Sequence, residues 1–356
     1  MFDIKSLFSR NQKTVGLDIG SSAVKLLEVV DTPKGLVLNY FDQLPLPRDV
    51  IVEGALAEPA ILTASLKKLF RRFGRKRDIV TSISGHSVII KKVTIAAMDE
   101  AEVRELISEE ASKHLPFDDM GAVNFDFQIL GENEFNAHQI DILVVAAKKD
   151  IVDSYTAAIA AAGLSVVIMD VDSFALETMY ETNYDFADNE LVALVNIGAS
   201  ITNINVVKSG MSTFTRDFTL GGNMITEVVQ QRLGVSFAEA EKIKIEGLAD
   251  EQQTEELRKS LLSYADPILM EIERSLDYFR STAMGEYIGR IYLAGGGAKI
   301  PGIATDLYQR LNIEVELIDP FRKIELDKKL GGQDLPRSAG PAAAVGIGLA
   351  LRRVGD

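Results

Sequence analysis

The sequence predicts an α/β protein made by duplication: two similar lobes around one ligand, with a compact βαββα unit inserted in the first. Three observations carry this reading. A hairpin with a small-residue turn, Val15-Gly-Leu-Asp-Ile-Gly-Ser-Ser-Ala-Val-Lys-Leu-Leu-Glu-Val29, returns in the same layout at Ala193-Leu-Val-Asn-Ile-Gly-Ala-Ser-Ile-Thr-Asn-Ile-Asn-Val-Val207. Each hairpin continues into a third strand and a helix, so βββα occurs twice, and an internal repeat constrains architecture more than any single motif. Late in the chain a strand runs into three glycines, Gly295-Gly-Gly-Ala-Lys-Ile-Pro-Gly-Ile303.

Composition sets the class. The 356 residues leave room for two or three domains, and 47% hydrophobic with 25% charged residues is the balance of a globular protein with a sizeable core. A net charge of −14 argues against non-specific nucleic-acid binding. Cysteine is absent, which removes disulfides, thiol chemistry and Cys-ligated metals. The three histidines, His86, His114 and His138, are scattered and are taken as surface or strand residues. Met1–Lys13 lacks an apolar core of signal-peptide length, and the apolar run 341–351 is too short and too rich in Ala and Gly to span a bilayer. The expected location is therefore cytoplasmic, with any membrane association made through a partner.

In chain order, 1–13 is a leader packed on the first lobe or a short amphipathic foot. Strands are expected at 15–19, 24–30 and 36–42, the last two joined by Thr32-Pro33-Lys34-Gly35. A helix over 59–73 follows, with Leu62, Leu66, Leu69 and Phe73 inward at spacings of 4, 3 and 4. Its end, 67–77, carries seven cations and no acid; it is either a solvated face suited to the helix dipole or a patch for anionic lipid.

Strands at 79–84 and 88–95 lead into the insert. Asp99-Glu-Ala-Glu102 opens a capping-box helix with Val103, Leu106, Ile107 and Ala111 inward. Strand 121–130 alternates Val123, Phe125, Phe127 and Ile129 against Asn124, Asp126 and Gln128. Phe125 and Phe127 are core residues or, at an open sheet edge, a seat for a partner's peptide. Strand 140–147 and a helix 150–162 closed by Gly163 complete the unit.

Strand 165–170 is parallel in type. Asp172 follows it, either facing a ligand crevice or capping the helix 174–181. After hairpin 191–207 come strand 211–218 and a helix to 231 opened by Gly221-Gly222-Asn223. A capping box at Ser236–Glu239 then starts the helix bearing Glu241 and Lys244, which form a surface salt bridge or a clamp on a ribose. Two helices broken at Asp266-Pro267, the second burying Ile268, Ile272, Leu276 and Phe279, precede strand 290–294. Strand 313–318 and a final helix 341–353 end the chain. The domain reading is lobe I at 1–84 and 164–190, the insert at 85–163, lobe II at 191–340, and a C-terminal helix at 341–356 returning to lobe I.

The chemistry sits at the turns. Gly20-Ser21-Ser22 is an ordinary hairpin turn or, with glycine free to take positive φ, an anion nest. Asp18 could hold hydrated Mg²⁺ and Lys25 could reach a phosphate. In the repeat, Gly198 and Ser200 match Gly20 and Ser22, and Asn196 stands where Asp18 does. Three glycines at a strand end let backbone approach a flat group closely.

Asp18–Ser22, Asn196–Thr202 and Ala294–Ile303, in that order, resemble the two phosphate loops and the adenosine motif of the actin-like, ribonuclease H-like ATPase superfamily. The insert resembles the SHS2-type 1C subdomain of its FtsA/PilM branch. The Lys-Ser-Leu-Phe leader, the Ala-Glu-Lys-Ile-Lys segment and the chain end soon after Gly-Leu-Ala-Leu-Arg352, without the longer tail of FtsA-like proteins, favour the PilM family of type IV pilus assembly. The resemblance implies ATP or ADP with Mg²⁺. It implies phosphate contacts from Gly20, Ser21, Ser22 and Lys25 on one lobe and from Gly198, Ser200 and Thr202 on the other. Asp18 would carry Mg²⁺ through water, and Asp172 would orient water as the catalytic residue. Glu241 and Lys244 would meet the ribose or base, with Gly222 and Asn223 beside them, and Gly295, Gly296, Gly297 and Ala298 would bed the adenosine. Relatives usually carry Asp where this chain has Asn196, so slow or absent hydrolysis is expected.

The family's partner is the cytosolic N-terminal peptide of PilN, an inner-membrane protein; the expectation is a scaffold binding that peptide, with other pilus motor and platform proteins nearby and self-association open. Two alternatives stand beside it. One is an FtsA-like division protein forming nucleotide-dependent filaments. The other is a small-molecule kinase of the same superfamily.

Overall fold

The computed structural model describes residues 14–353 apart from 76, 86, 87, 118, 134, 188, 249, 284, 285 and 331–337, and leaves the side chains of Ser108 and Ala111 undescribed. The leader 1–13 and His86 lie outside the described residues.

Two sheets repeat one plan. In the first, β1 (Thr14–Ile19) pairs antiparallel with β2 (Ala23–Thr32), and β2 with β3 (Gly35–Pro45); on its other side β1 pairs parallel with β6 (Asp78–Ile83), and β6 with β10 (Ser165–Val171). In the second, β11 (Leu191–Ile197) pairs antiparallel with β12 (Thr202–Lys208) and β12 with β13 (Met211–Phe218), while β11 pairs parallel with β14 (Ile288–Ala294) and β14 with β15 (Glu314–Leu317). Order and sense are the same strand for strand, so the sequence repeat is a duplicated fold. β16 (Glu325–Leu326) adds to the first sheet beside β3. The chain therefore rejoins the first sheet earlier than the expected 341, because Ile318, Ile324 and Leu330 are buried with Leu38, Phe41 and Tyr180.

Between β3 and helix α1 (Pro59–Phe73) lies a segment that sequence periodicity does not reveal, with two-residue strands β4 (Ile51–Val52) and β5 (Ala55–Leu56). α1 buries Leu62, Leu66, Leu69 and Phe73 as expected and ends on Gly74 at φ 68, whose N–H donates to Phe70 O. The basic run beyond it is partly committed. Arg75 donates to Glu28 Oε2 at 2.6 Å and Arg77 to Glu28 Oε1 at 2.9 Å, which pairs a carboxylate that is only 3% exposed.

The insert is a three-stranded sheet, β7 (Val88–Ala96), β9 (Asn136–Lys148) and β8 (Val123–Asn133) in that order, packed on α2 (Glu100–His114) and followed by α3 (Lys149–Ala161). The capping box is reciprocal: Glu102 N–H donates to Asp99 Oδ1 and Asp99 N–H to Glu102 Oε2. Val123, Phe125, Phe127 and Ile129 face the insert's own core. Leu106, expected inward, is exposed; Val103 and Ile107 alone carry that turn of the apolar stripe.

α4 (Asp172–Asn183) follows β10, and α5 (Gly222–Leu233) and α6 (Phe237–Glu246) follow β13. Instead of two helices broken at Asp266-Pro267, one helix, α7, runs from Glu251 to Thr282. Proline removes one N–H from the ladder, leaving the carbonyl of Ser263 without its donor. Ser263 and Pro267 both lie on the solvent-exposed side, while Leu261, Ala265, Ile268, Leu269 and Ile272 keep an unbroken buried face. Burial on that face outweighs the lost hydrogen bond. α8 (Ile303–Leu311) then leads to β15.

The last helix, α9 (Ala344–Leu351), is apolar all round and buried from Ala344 to Ala350. It packs against α4 and β1. A Cβ on Gly348 would stand 1.7 Å from Ala175 O, and one on Gly16 2.5 Å from Ala350 N, so backbone meets backbone there. Among the described residues no helix is long and apolar enough to cross a membrane.

Candidate functional site

The two small-residue turns are built alike. Ile19 faces Val24 across the first hairpin and Ile197 faces Thr202 across the second. Gly20 N–H donates to Ala23 O at 3.0 Å and Gly198 N–H to Ile201 O at 2.9 Å. Neither glycine takes a positive φ. The expectation of left-handed backbone is corrected: the requirement is close approach, since a Cβ on Gly198 would lie 2.6 Å from Ile201 O and one on Gly20 3.3 Å from Ala23 O. Positive φ is used instead at Gly295 (φ 86), where a Cβ would meet Ile197 O at 2.2 Å. A Cβ on Gly297 would stand 2.3 Å from Ile197 Cγ2. The glycine triplet is thus laid directly on the strand that ends in the second turn.

Both turns open onto one cavity of about 1030 Å³. Gly20, Ser21, Ser22 and Lys25 line it from the first lobe; Gly198 and Ser200 line it from the second. Asp18, Asp172, Gly222, Glu241 and Lys244 reach the same space, as do Gly295, Gly296 and Gly297. An apolar part of the wall is made by Leu257, Leu261 and Leu262 of α7 with Ile300 and Pro301.

Three residues singled out in the sequence are held back from the cavity. Thr202 is fully buried and its hydroxyl donates to Leu220 O at 2.8 Å. Asn223 turns its amide to Ser200 Oγ at 3.1 Å. Ala298 is buried in the core beneath the glycine triplet. The first amides of α5 are likewise used internally: Gly222 N–H donates to Gly198 O and Asn223 N–H to Ala199 O, which fixes the second turn from below.

Paired side chains mark the two floors. Asp18 and Lys25 oppose each other across β1 and β2 and form an ion pair of 2.7 Å. The equivalent positions in the second lobe, Asn196 and Asn203, also oppose each other, and Asn196 Nδ2 donates to Asn203 Oδ1 at 3.0 Å. A charged pair has thus become an amide pair. Asn203 Nδ2 is buried with no hydrogen-bond acceptor, and Asn203 lines the cavity, so the site offers an unsatisfied donor to an occupant.

Asp172 begins α4 without capping it; its carboxylate accepts from Ser82 Oγ at 2.6 Å. Burial first, and then the charge of Asp18, push it up to about 7. Lys244 Nζ meets Glu241 Oε2 at 2.6 Å, Thr226 Oγ1 at 2.8 Å and Gly222 O at 3.1 Å, so the pair is a salt bridge and part of the cavity wall at once. Lys299 lines the cavity and donates to Ser338 O; burial first, and Lys25 next, lower its pKa. Lys299 and Asn203 were not singled out from sequence. The signals were present: Lys299 stands inside the glycine motif, and Asn203 occupies the repeat position of Lys25.

Oxygen and nitrogen donors converge here from two matching turns, with cations on both lobes, an acidic residue beside the first turn and an apolar wall. Such a cavity suits a polyanion joined to a flat apolar group.

A profile of the family described as type IV pilus assembly protein PilM matches residues 16–354. A solved PilM–PilN type IV pilus biogenesis complex contains a chain 29% identical to this one, aligned over 97% of this chain and 99% of that chain with a TM-score of 0.84. The cell division protein FtsA of Bacillus subtilis (strain 168) is 22% identical over 88% of this chain and 80% of its own length. The ethanolamine utilization protein EutJ of Carboxydothermus hydrogenoformans shares the fold at a TM-score of 0.56 and 16% identity, over 95% of this chain and 88% of that one.

Proposed function

This chain belongs to the type IV pilus assembly protein PilM family, and from that premise we propose that it is an ATP-binding, actin-like scaffold of the pilus assembly platform that grips the cytosolic N-terminal peptide of a PilN-like inner-membrane protein. The partner is supported by the relative found in a PilM–PilN complex, which matches this chain nearly end to end. The chain is then cytoplasmic and held at the inner membrane through that partner. The observation that carries the nucleotide reading is that the Gly20–Ser22 and Gly198–Ser200 turns face one cavity floored by the glycine triplet.

In this reading the polyphosphate lies between the two turns, with Lys25 and the free amide of Asn203 as added donors. Fit supports it: a buried unsatisfied donor and two lysines facing one cavity are both relieved by an anion. Mg²⁺ would be held by Asp18 through water and would neutralise phosphate charge. Lys25 now occupies the Asp18 carboxylate, so binding exchanges that ion pair for Lys25–phosphate and Asp18–Mg²⁺ contacts. Glu241, Lys244, Gly222 and the Gly295–Gly297 triplet form the nucleoside end.

Turnover is slow or absent. Asn196 and Asn203 bring no negative charge to the metal side, so the second turn adds no carboxylate to place metal and water together. The test is a calorimetric titration of the purified protein with ATP–Mg²⁺ and with a PilN-type tail peptide, separately and then together. Micromolar or tighter binding of both is expected. No peptide binding with or without nucleotide overturns the scaffold reading, and sedimenting nucleotide-dependent filaments without peptide binding would favour the distant FtsA likeness instead.

A further inference from the structure

We propose that residues 46–57 form a strap across the cavity, latched by Arg48 to the opposite lobe, and that release of this latch sets how long a nucleotide stays bound. The inference rests on the nucleotide reading of the cavity above. Leu46 N–H donates to Ser22 O at 2.9 Å, so the strap is anchored on the first turn. Two residues later Arg48 crosses to the second lobe. Its guanidinium pairs with Glu227 on α5 and lies 4.8 Å above the ring of Phe237, the first residue of α6. These are the helices whose Gly222, Glu241 and Lys244 line the cavity. Ile51 and Gly54 of the strap line it from the other side.

The two ends of the strap differ in kind. At Gly54 (φ 85) the fit is close: a Cβ would lie 2.4 Å from Ser84 O and 3.4 Å from Ile201 Cδ1, a side chain that belongs to the second turn. Tyr155 donates its hydroxyl to Gly54 O at 3.1 Å, and Ala57 and Glu58 both donate to Val50 O. At Arg48 the contact is half open, with side-chain exposures of 45% for Arg48 and 39% for Glu227. Between these ends Asp49 (φ 65) and Glu53 (φ 51) hold left-handed backbone, a conformation that Asp takes readily and Glu seldom does. Leu46, Val50 and Ile51 on either side of Arg48 are buried in the core of the first lobe, so the strap moves with that lobe, and the Arg48 contacts are the clasp to the second lobe that must open for the lobes to part.

The test is dissociation of a fluorescent N-methylanthraniloyl ATP analogue, chased with excess ATP in stopped flow. Arg48→Ala and Glu227→Ala should each speed release about fivefold to tenfold, the scale of an exposed ion pair plus a cation–π contact. The charge swap Arg48→Glu with Glu227→Arg should recover part of the slow phase. Unchanged release in both single variants overturns the latch. Failure of the unaltered protein to bind the analogue overturns the nucleotide reading instead. The latch is then judged by amide hydrogen exchange in the ligand-free protein. Arg48→Ala should speed exchange at the Gly85 amide, whose bond to Asp217 Oδ2 also crosses to the second sheet, and equal protection would sink it.

Discussion

Replacing Asp172 by Asn should make the protein more stable at alkaline pH and leave it unchanged in acid. The half-buried carboxylate faces the cavity, hydrogen-bonds Ser82 and Ser84, and is pushed up to about 7 by burial and by Asp18. In the unfolded chain the same group titrates near 3.8. Between those values the folded protein keeps a proton that the unfolded chain has released, so stability falls as pH rises from about 4 to about 7 and the loss is complete above that. At 1.36 kcal/mol per pH unit the full loss is at most about 4 kcal/mol. Glu177, buried beside Asn205 and pushed up to about 8, adds a loss of the same sign at slightly higher pH. Asn cannot ionise, yet its Oδ1 can still accept from Ser82. Urea unfolding of ligand-free protein in EDTA, followed from pH 4.5 to 8.5, should show wild type and Asp172→Asn together at the acid end. By pH 8 the variant should lead by about 2–4 kcal/mol, the residual slope belonging to Glu177. Parallel curves would refute the burial argument for Asp172.

Gly348→Ala should lower the thermal midpoint by several degrees, because its Cβ would press 1.7 Å from Ala175 O and part α9 from α4; Gly296→Ala, with nothing within 4 Å, should melt like wild type. Asn196→Asp should raise ATP hydrolysis in a phosphate-release assay by restoring a carboxylate to the second turn, and adding Asp18→Ala should remove the gain; a rate equal to wild type would mean that another step limits turnover. Reversing Lys67, Lys68 and Arg71 to Glu should leave flotation with anionic vesicles unchanged, since these exposed cations sit on a solvated helix end; a marked drop would restore the lipid reading.

The duplicated architecture was legible because each hairpin carries its own alternation and its own glycine, and these features are local. The α1 stripe, the Asp99–Glu102 capping box and the alternation of β8 were legible for the same reason. What escaped depends on distant neighbours. Pro267 looks like a stop until the unbroken buried face of α7 is seen against the second sheet. Thr202 resembles a phosphate ligand until Leu220 O takes its hydroxyl. The strap has two strands of two residues each, too short for any periodicity, and its role depends on Glu227, 179 residues away. The glycines of the turns do line the cavity, but not for the conformational reason expected: close carbonyls exclude a Cβ there, while positive φ is kept for Gly295.

A crystal structure of this chain grown with a non-hydrolysable ATP analogue and Mg²⁺ tests the central claim most directly. The account predicts the phosphates between the Gly20–Ser22 and Gly198–Ser200 turns, Lys25 swung from Asp18 toward them, and the purine against Gly295–Gly297. Nucleotide bound outside this cavity, or touching one turn alone with the Asp18–Lys25 pair intact, would contradict it.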